Sequence, residues 1–330
     1  MNSNMDETLL KHQYRPTLLP LQDKQTWMLY KTLESMIWNA QEVSMQDDFR
    51  DWSKKLTKGQ RTYYRLILAF FYCADELVLA NIDHFMSLIQ DLEVRYFYSA
   101  QAMQECVHSE AYSLQVLSIF DYDEIQELQE IIKTLPVINK MVDWVVDKTD
   151  YNRPLAYKIG AFVIVESLFF QSHFISIQEL KQQNVMCGLT HYNELISRDE
   201  NQHCLFGIHL LNNKIDNKLP EKDFHEMMES AVLLLDEFIT YAFDKAREAE
   251  GSENHNIIGL SEKLLQDYIR FFADDINVKL GYKKIYFIKN NPFPSSVLLG
   301  MNKTAKTNFF EQRPTQYQQV SDMTFGLPDM

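Results

Sequence analysis

The sequence predicts an all-α fold. Glycine and proline are scarce, nine of each in 330 residues, so the tight turns of a many-stranded sheet are not supplied. Apolar residues recur at helical spacing through long segments that lack strand alternation. With 46% hydrophobic residues the chain can bury a large core.

The elements run in order along the chain. Residues 1–21 carry Pro16 and Pro20 and little periodicity, and read as an N-terminal arm, extended in form. A helical domain is expected over 22–290. Thr57-Lys-Gly-Gln60 has the form of a capping box opening a helix that runs through Leu66–Asn81. A second long helix covers about Leu92–Ser118, and shorter ones come after it from Asp121 to about Lys148. Pro154 suits the first turn of the next, which runs to about Gln182. Gly188 precedes another that ends near Asn213. The last two cover about Glu221–Ala249 and Ser261–Leu280. From Asn291 the pattern fails: Pro292, Pro294, Pro314 and Pro328 punctuate a polar segment, 291–330, expected to end in a flexible tail. No fixed-period repeat and no low-complexity tract is found.

Composition narrows the function classes. A net charge of −14 opposes a phosphate-binding surface, and so nucleic acid as a partner. No phosphate loop is seen, so nucleotide binding is not expected of this chain. Cys73, Cys106, Cys187 and Cys204 form no CxxC pair. All but Cys187 lie in apolar helical runs and read as buried free thiols of a reducing compartment. The opening Met1–Leu10 is polar, unlike a secretory leader. The most apolar run, Gly160–Phe170, carries Glu166 in its middle, so no membrane span is expected. A soluble cytoplasmic protein is the reading.

The chemistry is carried by glutamate–histidine pairs. Among nine histidines, two follow a glutamate by three residues: Glu105-Cys-Val-His108 and Glu200-Asn-Gln-His203. On a helix such residues lie about 60° apart around the axis and can address one metal centre. Either pair alone reads as a solvated helix face. Asp75 and Glu166 change that, because both interrupt helices that are apolar nearly all round and therefore belong in the core. A buried ionised carboxylate costs several kcal/mol unless it is paired or metal-bound, and neither segment offers an arginine nearby. Two core helices with one carboxylate each, and two with ExxH, make a carboxylate-bridged di-metal site in a helical bundle. Asp75, Glu105, His108, Glu166, Glu200 and His203 suit two iron ions, with manganese the alternative. The cysteine spacing excludes zinc-finger and thiolate sites.

The segments Glu105-Cys-Val-His-Ser-Glu-Ala-Tyr112-Ser and Asn193-Glu-Leu-Ile-Ser-Arg-Asp-Glu200-Asn-Gln-His203 resemble the signature motifs of the class I ribonucleotide reductase small subunit. Ser35-Met-Ile-Trp38-Asn-Ala-Gln-Glu-Val43 and Lys306-Thr-Asn-Phe-Phe-Glu-Gln-Arg313 resemble that family too, and the likeness runs from about Trp27 to Tyr317. An Asp in the first ligand position, where a generic bundle has Glu, is what this family uses. The resemblance implies a ferritin-like di-metal carboxylate bundle with additional helices. It implies a stable tyrosyl radical at Tyr112, four residues past His108; Phe170, Phe174 and Ile196 fall four or eight residues from ligands and should line an apolar pocket around it. It further implies that Asp199 orients His108 and links it to Trp38, and that Tyr317 relays the radical to a separate large subunit, which reduces ribonucleotides. Ser321–Met330 would dock that subunit, and the chain would form a homodimer. The alternatives are another di-metal oxidase or oxygenase of the same bundle class, against which Tyr112 and the tail speak, and iron storage or a purely structural helical protein. Storage chains of this class are much shorter, and a structural protein has no need of buried Asp75 and Glu166.

Overall fold

A computed structural model describes residues 8–11, 15–251 and 259–294, the side chains of 73–77 excepted. Among the described residues the ordered elements are helices. They are α1 (Lys24–Glu34), α2 (Asp48–Lys54), α3 (Lys58–Leu88), α4 (Leu92–Ile119), α5 (Tyr122–Thr134), α6 (Pro136–Lys148), α7 (Leu155–Ile164), α8 (Phe170–Gln182), α9 (Cys187–Asn213), α10 (Glu221–Glu250) and α11 (Glu262–Lys279). A five-residue π-helical turn, Val165–Phe169, joins α7 to α8.

Local chemistry sets the boundaries. The capping box is present: Gln60 N donates to Thr57 Oγ1 and Thr57 N donates to Gln60 Oε1. Asp121 and Glu124 form a second one at α5. Pro136 opens α6, where a missing N–H costs nothing, and Gly251 closes α10 with φ of 65°. The sequence reading did not resolve α1 and α2 as separate helices. Both are short, and α2 has only seven residues over which a period can register.

The core is built around four long helices, α3, α4, α9 and α10, and a continuous buried rod. Helix α3 packs against α4 and α10, and α7 and α8 pack against α9. Leu155–Gln182 is apolar and long enough to cross a membrane by composition, but its most apolar stretch is wholly buried inside the protein. It is the central core helix, walled by its neighbours. The carboxylate that interrupts its apolar character, Glu166, coincides with the π-turn.

Two expectations are corrected. Cys106 is exposed, because it follows Glu105 on α4 by one residue and so points away from the face that Glu105 and His108 bury; Cys204 is buried as expected. The described part of the N-terminal arm is not simply extended. Thr8–Leu10 makes a 3-10 turn with Leu9 buried, Gln90 N donates to Leu9 O at 2.7 Å, and Arg15 pairs with the buried Glu93 at 2.6 Å. The arm is thereby fastened to the α3–α4 corner.

Candidate metal centre

Glu105 and His108 lie on α4, Glu166 on the π-turn, and Glu200 and His203 on α9. All five are 3% exposed or less. Donor atoms of Glu105, Glu166, Glu200 and His203 lie within 4.8 Å of one another. His108 joins them through its Nδ1, which is 3.3 Å from Glu105 Oε2 and 3.0 Å from Glu200 Oε1. His203 Nδ1 lies 3.0 Å from Glu105 Oε1 and 3.3 Å from both Glu166 Oε2 and Glu200 Oε2. Glu105 and Glu200 therefore each turn one oxygen toward each imidazole. That is the geometry of two carboxylates spanning two cation positions. Asp75 lies on α3, and its side chain falls outside the described residues.

The electrostatics fit cations. Both oxygens of Glu166, Glu105 Oε2 and His108 Nδ1 are buried without a hydrogen-bond partner. Burial pushes the Glu166 carboxyl well above the ordinary range, and the charges of Glu200 and Glu105 add to it. Burial would lower both imidazoles, yet the surrounding carboxylates hold His108 and His203 well above the usual histidine range. The two imidazoles in turn overcome burial at Glu200 and hold it low. Surroundings that favour positive charge on the rings would equally favour metal cations, which bind the neutral imidazoles.

The backs of the rings are held as well. Asp199 Oδ2 lies 3.3 Å from His108 Nε2 and accepts from Trp38 Nε1 at 2.7 Å. The Trp38 indole stacks beside His108, with centroids 6.1 Å apart. Arg198 donates to the other oxygen, Asp199 Oδ1, at 2.9 and 3.1 Å. His203 Nε2 lies 2.9 Å from Gln104 Oε1.

Tyr112 sits one turn past His108 on α4 and is buried. The ring of Phe71, on α3, stacks on it at 4.9 Å with a 9° interplanar angle. Phe170 and Phe174 meet Phe71 at 6.0 and 5.3 Å, so a wall of rings is assembled through Phe71. Ile196 is buried on α9. Tyr317 and Ser321–Met330 lie outside the described residues.

Sequence reasoning missed Phe71, Gln104, Arg198 and the π-turn. Phe71 was detectable, since it precedes Asp75 by four residues, the spacing that selected Phe170 after Glu166. Gln104 carried no signal, because nothing in a sequence says which amide faces a histidine on another helix. The π-turn carried none either: one extra residue in a turn offsets the downstream helix by about 100° without a breaker residue to mark it.

The comparisons agree with this geometry. A family model described as ribonucleotide reductase, small chain, matches residues 15–292. A ribonucleoside-diphosphate reductase small chain of African swine fever virus is 46% identical over 329 residues, covering 98% of this chain and 96% of the relative. A ribonucleoside-diphosphate reductase small chain of Arabidopsis thaliana is 38% identical over 309 residues, covering 93% and 89%. Among solved structures, the Rnr4 homodimer of the Saccharomyces cerevisiae ribonucleotide reductase superposes with a TM-score of 0.77 at 28% identity, covering 88% of this chain and 90% of that one. A dimanganese(II) NrdF from Streptococcus sanguinis shares the fold, with a TM-score of 0.69 at 17% identity over 83% and 94% of the two chains. A buried carboxylate–imidazole cluster shaped for two metal ions, on a helical fold shared with these proteins and a sequence nearly half identical to one of them, places the chain in the ribonucleotide reductase small-chain family, as a ribonucleoside-diphosphate reductase small subunit.

Proposed function

We propose that this chain binds two metal ions through Asp75, Glu105, His108, Glu166, Glu200 and His203, and that it stores an oxidising equivalent as a radical on Tyr112. The observation that carries this reading is the disposition of Glu105 and Glu200, each with one oxygen toward His108 and one toward His203. Iron or manganese held there would supply the oxidising power that takes an electron and a proton from Tyr112.

The protein's own residues do the rest. Asp199 fixes the His108 ring and joins it by hydrogen bonds to Trp38, so the charge leaving the centre has a bonded route outward. Phe71, Phe170 and Phe174, with Ile196 as the further proposed member, keep water and reductants from Tyr112. Tyr317 continues the relay to the large subunit, which carries out ribonucleotide reduction and docks the segment Ser321–Met330. The chain acts as a homodimer, a reading supported by the yeast relative, whose structure is that of the Rnr4 homodimer.

Metal analysis together with electron paramagnetic resonance tests the proposal. Two metal ions per chain and a tyrosyl signal are expected. Tyr112→Phe should keep both ions, because it removes one hydroxyl and little volume, and should abolish the signal and turnover with the large subunit. A signal of unchanged line shape in that variant would move the radical to another tyrosine. One ion or none in the wild type would sink the ligand assignment.

A further inference from the structure

Gln104 immediately precedes Glu105 on α4 and is 1% exposed. Its Oε1 meets His203 Nε2 at 2.9 Å, and its own Nε2 is buried without a hydrogen-bond partner. Burying a half-satisfied amide is costly, because its stranded N–H groups lose their water and gain no partner. An unbranched apolar side chain would occupy the same place without that cost. The amide therefore needs a reason, and its one hydrogen bond in this structure is to the ring.

We propose that Gln104 is the positioning residue of the second imidazole, holding the His203 Nε2–H so that Nδ1 faces the metal position between Glu105, Glu166 and Glu200. The two ring nitrogens of a histidine are distinct, and the partner of one decides what the other can do. With Nε2–H donated to Gln104 Oε1, the ring cannot turn over without breaking that bond. Its Nδ1 then stays 3.0–3.3 Å from oxygens of all three glutamates. The amide rests on α4, the same helix that delivers Glu105, so ligand and ring support are set by one rigid element.

The two imidazoles are thus backed differently. Behind His108 stands the charged Asp199, itself bonded to Trp38 and Arg198. Behind His203 stands a neutral amide whose remaining donor continues to nothing. Gln104 orients without extending a hydrogen-bonded path, whereas Asp199 does both. On this arrangement only the His108 side is wired outward.

The inference rests on the ligand assignment proposed above, and the test separates the two. Mn(II) alone is titrated into the metal-free full-length chain, and free Mn(II) is followed by electron paramagnetic resonance. Wild type should bind two ions. Gln104→Met, similar in volume but without an acceptor, should weaken one of the two by roughly 10–100-fold and leave the other unchanged. Gln104→Glu restores the acceptor and should recover the weakened site. In a His203→Ala background, Gln104→Met should change nothing further. Thermal unfolding of the metal-free variants should match wild type, which separates positioning from loss of fold. The inference is overturned if Gln104→Met binds both ions as wild type does, if both sites weaken alike, if Gln104→Glu fails to recover binding, or if the Met substitution still acts once His203 is gone. Failure of wild type itself to bind two ions would instead overturn the ligand assignment.

Discussion

The Trp38 indole donates to Asp199 Oδ2 at 2.7 Å, and the same oxygen lies 3.3 Å from His108 Nε2. One carboxylate thus serves an aromatic side chain from the α1–α2 connection and a metal-site imidazole on α4. Asp199 is itself fully buried, so removing it strands two donors that no solvent can reach.

Asp199→Ala is therefore expected to cost about 1–3 kcal/mol for each stranded donor and to lower turnover with the large subunit by at least roughly 10–100-fold. Urea denaturation and a reductase assay measure the two effects. A variant with near-normal turnover would remove Asp199 from the relay, while leaving the ligand assignment untouched.

Phe71 stacks on Tyr112 with nearly parallel rings and is itself buried. Truncation to Ala leaves a cavity beside the tyrosine, with an expected loss of about 3–5 kcal/mol. Water entering that cavity should shorten the life of the radical. The decay of the paramagnetic signal under a fixed dose of a small reductant measures this. Equal decay rates in Phe71→Ala and wild type would mean that the ring packs the core but does not shield Tyr112.

Asp75 and Glu166 stood out in the sequence because each breaks a local rule: a carboxylate inside an apolar helix has no cheap explanation except a cation, and the two Glu-x-x-His pairs gained meaning only beside them. The boundaries of α3, α4 and α5 were legible for a similar reason, since Thr57, Asp91 and Asp121 cap their own helices. What the sequence hid is non-local. The amide facing His203 comes from another helix, the π-turn at Glu166 has no marker residue, and α9 borrows its cap. Cys106 was misplaced because a mixed helix face looks apolar in sequence even where one position points outward.

His173 offers a test by pH. Its ring is buried, stacks 4.2 Å from Phe70, and has Nδ1 2.9 Å from Phe169 O, with Nε2 unpartnered. Burial pushes it down to about 3, against 6.5 for a free histidine, despite the help of the Phe169 carbonyl. The folded ring is therefore neutral between those values, while the unfolded chain takes up a proton below 6.5. Stability that His173 leaves intact at pH 7 is lost as pH falls from 6.5 toward 3, by up to about 1.4 kcal/mol per unit. His173→Leu cannot titrate. Its stability difference between pH 7 and pH 5, from urea unfolding of metal-free protein, should be about 2 kcal/mol smaller than that of wild type. Equal differences would refute the assignment.

Helix α9 carries Glu200 and His203, yet its N-cap residue, Met186, sits in the left-handed region at φ of 55° and offers no capping side chain. The free amides go to α2 instead. Asp48 accepts from Gly188 N at 3.0 Å and from Leu189 N at 2.7 Å, and Asp51 accepts from Met186 N at 3.1 Å. Burial, aided by Asp51 and Asp47, pushes Asp48 up to about 6 against the pull of those two amides. At neutral pH the carboxylate is charged, buried and held by the helix end. Asp48→Ala strands two buried amides and should lower stability by about 1–3 kcal/mol. Asp48→Asn keeps an acceptor and sheds the desolvated charge, so it should lose less. The Gly188 amide that Asp48 holds lies twelve residues before Glu200, about 18 Å along a helix axis, so both variants should still bind two metal ions per chain. Urea midpoints and metal content settle the matter: a normal midpoint in Asp48→Ala, or metal loss in variants that remain folded, would show that α9 is not anchored as described.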